Sequence, residues 1–410
     1  MPAPEPSGRS GATNRGSAQV SGISRTVFVL GAVSLLTDIS SEAIFPLIPL
    51  FLTEVLRAEV LAVGLIEGVA NSTASIVRVF SGWLSDVLGN RKWLVVGGYS
   101  LSTVSKPMFA AAGSWQAVFG IRFADRLGKG IRTAPRDALI ADVSAEGRRG
   151  VSFGFHRAMD TVGAIAGPLI AFWLLRTVVT DYRVIFLLSG IPAAAAVLIL
   201  VFFIHEPRPE RPGVVERPFV RLSGLGRPFK LFLLVTTLFS LGKFSEVFLI
   251  LRARDIGIGA GTVLLTYVVF RSVEAALSVW AGALSDRIGR RNVMLAGYLV
   301  FAGVYSGFGL AHSTMTVWVL FASYGLYSAL TQGVQRAFAA DLINAGMRGT
   351  GLGAYHTLTG LALLPASLIA GYLWDAINPA APFFFGAAMA LLAAFLLATF
   401  FRGSSTYTAM

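Results

Sequence analysis

Residues 82–92 read GWLSDVLGNRK, and residues 282–291, two hundred positions later, read GALSDRIGRR. The shared frame is Gly82-x3-Asp86-x2-Gly89-x-Arg91-Lys92 against Gly282-x3-Asp286-Arg287-x-Gly289-Arg290-Arg291. A second pair follows in the same order: Ala141-Asp142-x4-Gly147-x-Arg149-Gly150 and Ala340-Asp341-x4-Gly346-x-Arg348-Gly349. A weaker third match precedes each half's first loop, Ser41-Glu42 against Ser245-Glu246. Three matches in one order mark an internal duplication, and parallel repeats of this kind imply two related bundles with a path between them.

What surrounds these motifs is apolar. The 410 residues are 55% hydrophobic and 14% charged, with a mean hydropathy of +0.69, more apolar mass than soluble cores bury. The net charge is +12, yet the basic residues fall in short clusters between long apolar runs, which argues for a membrane and against nucleic acid. With no cysteine there is no disulfide, thiolate metal site or cysteine nucleophile.

Residues 1–24 are rich in Gly, Ser and Pro and lack the apolar core of a cleavable signal, so they read as a disordered tail. The run from Val27 to Val55 is long enough to cross a hydrocarbon layer of about 30 Å. Eleven further spans begin near Leu61, Trp93, Trp115, Val151, Val184, Leu231, Val263, Val293, Met315, Gly351 and Pro382. The expected fold is all-α, twelve transmembrane helices in two pseudo-symmetric six-helix bundles, residues 25–204 and 231–402. A linker at 205–230 holds Arg208, Arg211, Arg217, Arg221 and Arg227, and a short tail occupies 403–410. An even number of spans puts both termini on one side. The positive-inside rule makes that side cytoplasmic, because Arg91, Lys92, Arg148, Arg149, Arg287, Arg290, Arg291, Arg348 and Arg402 share it. The location expected is a bacterial-type cytoplasmic membrane.

A charge at bilayer depth costs about 2.5 to 3.5 kcal/mol even on the lenient insertion scale, so its placement is informative. Spans six, nine and twelve carry none in their interiors and span three only Lys106, as lipid-facing helices should. Span one holds Asp38 and Glu42, span two Glu67, Asn71 and Arg78, span five His156, Arg157 and Asp160, span seven Lys243 and Glu246, span eight Arg271 and Glu274. In span four Arg122, Asp125, Arg126, Lys129, Arg132 and Arg136 fall within about a third of the circumference at 100° per residue. Such a stripe must face an aqueous chamber or fixed ion pairs with Asp38, Glu42, Glu67 or Asp160. Asp38 and Glu42, one turn apart, are proton-carrying candidates with Glu67 and Asp160, since a carboxylate that alternates between a dry setting and an arginine couples a proton to movement. His156 lies near the terminal end of its span and reads as a solvated or capping residue. Tyr324, Tyr327 and Tyr355 read first as packing residues. Tyr327 on span ten is also a cavity candidate, as is Arg336.

These residues resemble the major facilitator superfamily of secondary transporters over nearly the whole chain, closest in motifs to its proton-coupled drug and solute antiporters. The loop at 82–92 is similar to that family's signature between spans two and three, with Val87 where a basic residue is usual, and the copy at 282–291 is a fuller match. The resemblance implies a proton-transfer role for Arg122 and a conformational role for the loop motifs. Span five, Gly154-x8-Gly163-x3-Gly167-Pro168-x2-Ala171, resembles the packing motif of proton-coupled exporters, with alanine replacing its last glycine. A proton-coupled carrier of a small solute follows, acting as a monomer without cofactor or metal. Export rests on the span-five likeness, and an importing symporter would need the same carboxylates. The basic surplus at Arg122, Arg126, Lys129, Arg132, Lys243, Arg271 and Arg336 favours an anionic or zwitterionic solute such as an organic acid, a phosphate or arsenate ester, or a metal chelate. A free-metal carrier through Asp38, Glu42 and His156 is opposed by the missing cysteine and the competing positive charge. A membrane enzyme would need a nucleophile or metal constellation, and none has workable spacing. A receptor that transports nothing would not need two copies of the loop motif.

Overall fold

The computed structural model describes residues 19–20, 23–88, 90–144, 148–204, 225–343 and 347–402. Gly89, Gly147, Gly346, most of the N-terminal tail, the linker arginines from Arg208 to Arg221, the C-terminal tail and the Arg348 side chain lie outside that set. Gln19–Val20 pairs antiparallel with Ile23–Ser24 just ahead of the first span. Span one comprises Arg25–Ile44, Leu47–Leu50 and a π-helical turn Phe51–Val55, and span seven comprises Arg227–Gly242 and Val247–Asp255. The other ten are continuous: Val60–Leu88, Arg91–Met108, Trp115–Val143, Arg149–Thr177, Tyr182–Phe203, Ala260–Ile288, Arg290–Leu310, Thr314–Asp341, Arg348–Ala376 and Ala381–Phe400.

Nine of the twelve spans are long and apolar enough to cross a membrane by composition alone. The other three have identifiable reasons for falling short. Span three carries Arg91, Lys92 and Lys106, span four carries the charged stripe, and span ten is diluted by Ser, Thr, Tyr and Gln. Such helices are stable at bilayer depth only when neighbours cover their polar faces.

Unpaired backbone is costly in lipid, and the helix starts are capped accordingly. Ser24, Asn90, Ser114, Asp181 and Ser313 each accept a backbone N–H from the first turn that follows. Gly289 stands at φ +90°, a conformation that places span nine directly after span eight and that a residue with a Cβ rarely adopts.

The two halves repeat one packing scheme. Span one lies against spans five and six, two against four, and three against four and six. In the second half span seven lies against eleven and twelve, eight against ten, and nine against ten and twelve. Between the halves span two packs on span eleven and span five on span eight, the two contacts that a pseudo-twofold axis requires. The antiparallel register of the first contact is well defined: a Cβ added at Gly64 would meet Ser367, at Gly68 Leu364, and at Gly360 Ser75.

Contacts between halves run from mid-membrane to the end away from the termini. There Arg254 reaches Glu54 at 2.6 Å, the Tyr182 hydroxyl donates to Glu54 at 2.9 Å, and Asp375 accepts the backbone N–H of Leu61 at 2.7 Å. That side is sealed. Toward the termini, Arg78 of span two, Lys129 of span four and Arg336 of span ten are exposed, although each sits on a membrane helix that contacts others. The chamber between the halves therefore opens on the terminal side.

Candidate transport site

Span four supplies most of the chamber's charge, and its inner end is fixed. Arg122 Nε donates to Glu67 Oε1 of span two at 2.7 Å, with both side chains buried. Asn71 donates to the other Glu67 oxygen at 3.3 Å, and Ser102 of span three donates to Asp125, which lies 3.5 Å from Arg122 Nη1. Glu67, Arg122, Asp125 and Asn71 thus form a network in which two carboxylates share one guanidinium, and Arg126, 3.9 Å from Asp125, brings the balancing charge. Asn71, a candidate for the cavity wall by its place on span two, is half-buried there. Its amide is spent on Glu67.

Further along the same face the pairing fails. Arg126 Nε stands 3.9 Å from Asp125, too far for a hydrogen bond, and Arg132 lies over the Tyr99 ring at 4.0 Å. Among the described residues Arg122 Nη2, Arg126 Nε and Arg132 Nη1 are buried and find no acceptor. Lys129 is exposed with no hydrogen bond or ion pair among the described residues, while Asp38, Glu42, Arg126 and Arg132 stand within electrostatic reach of it. Buried guanidinium donors are almost always satisfied in folded proteins, so this face lacks an acceptor that a bound group would supply.

The acidic side of the chamber comes from spans one and five. Span five is drawn close by Gly163 and Gly167: an added Cβ would stand 2.8 Å from the Leu35 carbonyl oxygen and 2.6 Å from that of Ile39. Asp38 packs its Cβ against Gly163 and has no hydrogen-bond partner among the described residues. Asp160 accepts from Ser34 and lies 3.5 Å from His156 Nδ1. His156 is 4% exposed, which corrects the expectation of a solvated or capping residue: it is buried beside Asp160, with Arg136 and Asp137 of span four within electrostatic reach. Gly154 also departs from the packing motif, since a Cβ there would meet nothing within 4 Å. Pro168 is buried within span five.

In the second half the helix of span seven stops at Gly242 and restarts at Val247, leaving Lys243 and Glu246 on a non-helical step. Arg271 of span eight donates to Glu246 and to Glu274, both at 3.0 Å, and to the Tyr267 hydroxyl at 2.6 Å. The Tyr267 hydroxyl in turn donates across the halves to Glu42 at 3.0 Å, and Ser245 donates to Glu67 at 3.4 Å. Three carboxylates therefore share one guanidinium and one hydroxyl where the halves meet. Lys243 stands 5.8 Å over the Tyr327 ring, and Tyr327, 1% exposed, belongs to an aromatic wall rather than to the chamber surface expected of it. Arg336 lies away from this cluster near the terminal end of span ten, its Nε bonded only to the Gln332 carbonyl at 3.1 Å.

The repeated motifs join one another. Arg91 binds both Asp86, at 3.3 Å, and Asp142, the aspartate of the second repeated sequence. Arg290 does the same with Asp286 at 2.6 Å and Asp341 at 3.3 Å. Lys92 and Arg291 tie each loop to the last span of its half through the Val201 and Ala398 carbonyls. Gly82 lies where an added Cβ would stand 3.2 Å from Ala134, whereas Gly282 has open space, so close approach is needed in the first copy only. Arg287 is exposed. Sequence reading missed Tyr267, Glu54 and Asp375. Only the i, i+4 spacing of Tyr267 and Arg271 could have pointed to the first, because the others act through contacts between distant spans.

The family model for the Major Facilitator Superfamily matches residues 30–362, and again 231–409. The chain belongs to the Major Facilitator Superfamily. As a member it is a multi-pass membrane transporter, of a family and fold that are those of carriers rather than enzymes. It is 36% identical over 381 residues to an uncharacterized MFS-type transporter of Methanocaldococcus jannaschii, covering 92% of this chain and 94% of that one. It is 26% identical to multidrug resistance protein MdtH of an Enterobacter species, covering 84% and 86%. Among solved structures, a POT family transporter in complex with a thioalcohol-conjugated peptide superimposes with a TM-score of 0.78 at 12% identity, covering 92% and 96%. That likeness concerns the fold alone.

Proposed function

We propose that the protein is a proton-coupled exporter of a small anionic or zwitterionic solute, working as a monomer by alternating access in the cytoplasmic membrane with both termini inside. The carrying observation is the face of span four beyond Arg122, where Lys129 is exposed and Arg126 and Arg132 retain unpaired buried N–H groups. A carboxylate, phosphate or sulfonate group on the solute supplies the acceptors these donors lack. The carboxylates of Asp38 and Glu42 on span one stand within electrostatic reach of Lys129, and Asp160 of span five within reach of Asp38. A proton arriving there releases Lys129 from their field toward the solute. Glu42, held by Tyr267, reports the same event to the second half. The likeness to the MdtH multidrug resistance proteins supports the outward direction.

The test is proteoliposomes with an imposed pH gradient and an internal pH dye, screened with organic acids, phosphate esters and chelates. The expected result is solute-dependent proton movement that Asp38→Asn abolishes while the protein stays folded. Full activity in both Asp38→Asn and Glu42→Gln overturns the coupling assignment.

A further inference from the structure

The mouth of the chamber carries a second set of basic groups, remote from span four's midplane face. Spans two and eleven run antiparallel, with Ser75 against Gly360, so the next turn brings Arg78 beside His356 at the last contact before the halves diverge. Arg78 is exposed with no hydrogen bond or ion pair among the described residues. Arg336 is exposed, and among the described residues its side chain makes one bond, from Nε to the Gln332 carbonyl. His356 stands within electrostatic reach of both arginines, and the arginines within reach of each other, although Arg78 belongs to the first half and the other two to the second. The remaining charged groups on this flank are Arg136 and Asp137 of span four, and Asp137 is taken by the Arg136 guanidinium at 2.9 and 3.1 Å. Gln335, one residue before Arg336, is occupied by Tyr298 and Tyr355.

We propose that Arg78, Arg336 and His356 form an oxyanion seat between the two halves, and that filling it permits the terminal side to close. The idea rests on the alternating-access reading but not on proton coupling. Rocking the halves together drives two guanidinium groups toward each other as water leaves, so their repulsion grows with both the shorter distance and the drier surroundings. An oxyanion between them reverses the sign, because each planar guanidinium can donate two parallel N–H groups to it. The empty carrier is thereby held open to the side from which the solute is loaded. The solute's anionic group meets this seat first and span four's unpaired donors second.

The chain has no cysteine, so Leu88→Cys and Ile288→Cys, both on exposed positions at the terminal ends of spans two and eight, give a single pair for spin-label distance measurement. The full-length protein is placed in phosphatidylcholine nanodiscs with chloride as the only added anion. The long-distance population dominates in the otherwise native protein, and Arg78→Gln with Arg336→Gln raises the short-distance population at least threefold. Sulfate, phosphate or citrate at constant ionic strength shifts the native background the same way and leaves the double variant unmoved. Closure in phosphatidylglycerol nanodiscs without soluble oxyanion supports the seat with a lipid headgroup as its source. Equal distance distributions in the two backgrounds overturn the proposal, and so does closure on neutralisation with no response to any of the three anions. The single variant Arg336→Gln, at an exposed position, keeps the test valid should the double variant fail to fold. Loss of solute-driven proton flux with these distance changes intact would remove the coupling assignment and leave the seat standing.

Discussion

Spans four and ten occupy equivalent places in the two halves and have opposite chemistry. Span four presents Arg122, Asp125, Arg126, Lys129 and Arg132, with some donors paired and others waiting. Span ten presents Tyr324 and Tyr327, 0% and 1% exposed, packed against Phe270, Phe301, Tyr305 and Phe239 at ring separations of 4.7 to 6.5 Å. One scaffold, duplicated, has become a charged reading face in the first half and a stiff aromatic wall in the second. The difference teaches that pseudo-symmetry fixes where helices go and not what they bind. An asymmetric solute is recognised by one half, while the other half supplies a surface for it to move against.

The comparison can be broken at its strongest point first. Glu67→Gln takes from fully buried Arg122 the closer of its two carboxylates and leaves only Asp125 at 3.5 Å, and removing one partner of a buried pair costs about 3–5 kcal/mol. Thermal unfolding in detergent should show the largest destabilisation of any single carboxylate change. Glu246→Gln should cost less than half as much, because Arg271 is less buried than Arg122 and keeps Glu274 at 3.0 Å and the Tyr267 hydroxyl at 2.6 Å. Equal losses would mean that the first-half network is no more fixed than the second.

Lys129→Gln sharpens the same contrast from the functional side. An exposed, unpaired side chain contributes within about 0.5 kcal/mol of stability, so unfolding should be unchanged. Solute transport should fall by about tenfold to a hundredfold, the worth of one charge-assisted hydrogen bond of about 1.5–3 kcal/mol. Normal transport with a lowered unfolding temperature would place Lys129 among the structural pairs.

The smallest effect belongs to the wall. Tyr324→Phe removes a buried hydroxyl that finds no well-formed hydrogen bond among the described residues, so stability should stay level or rise by up to about 1 kcal/mol, with transport retained. Loss of transport in that variant would give span ten a reading role and dissolve the asymmetry.

Much of the architecture was legible before any coordinates. The two copies of the loop motif announced the duplication, and every expected span start lies within a few residues of the observed one. The charged face of span four was also readable, since helical periodicity places Arg122 through Arg136 on one side whatever they touch. What periodicity does not encode is the partner. Whether Arg122 is free or locked depends on Glu67, fifty-five residues earlier on another helix, and the sequence gives no distance between them. The break in span seven was invisible for a related reason. Lys243 to Glu246 contains no proline; a lone glycine, Gly242, ends the helix before it, and the step's bonds run to Glu67 and Arg271 on other spans. The burial of His156 is illegible for the same reason: depth along a helix does not give exposure, and the neighbours that cover this residue come from packing between spans.

The central claim is that position 129, in the middle of a membrane-spanning helix, faces water on the terminal side. In the naturally cysteine-free protein, Lys129→Cys can be challenged with a charged, membrane-impermeant methanethiosulfonate added to sealed vesicles of either orientation. The account predicts rapid modification from the terminal side and little from the sealed side guarded by Glu54 and Arg254. Modification at the same rate from both sides, or from neither, would contradict it.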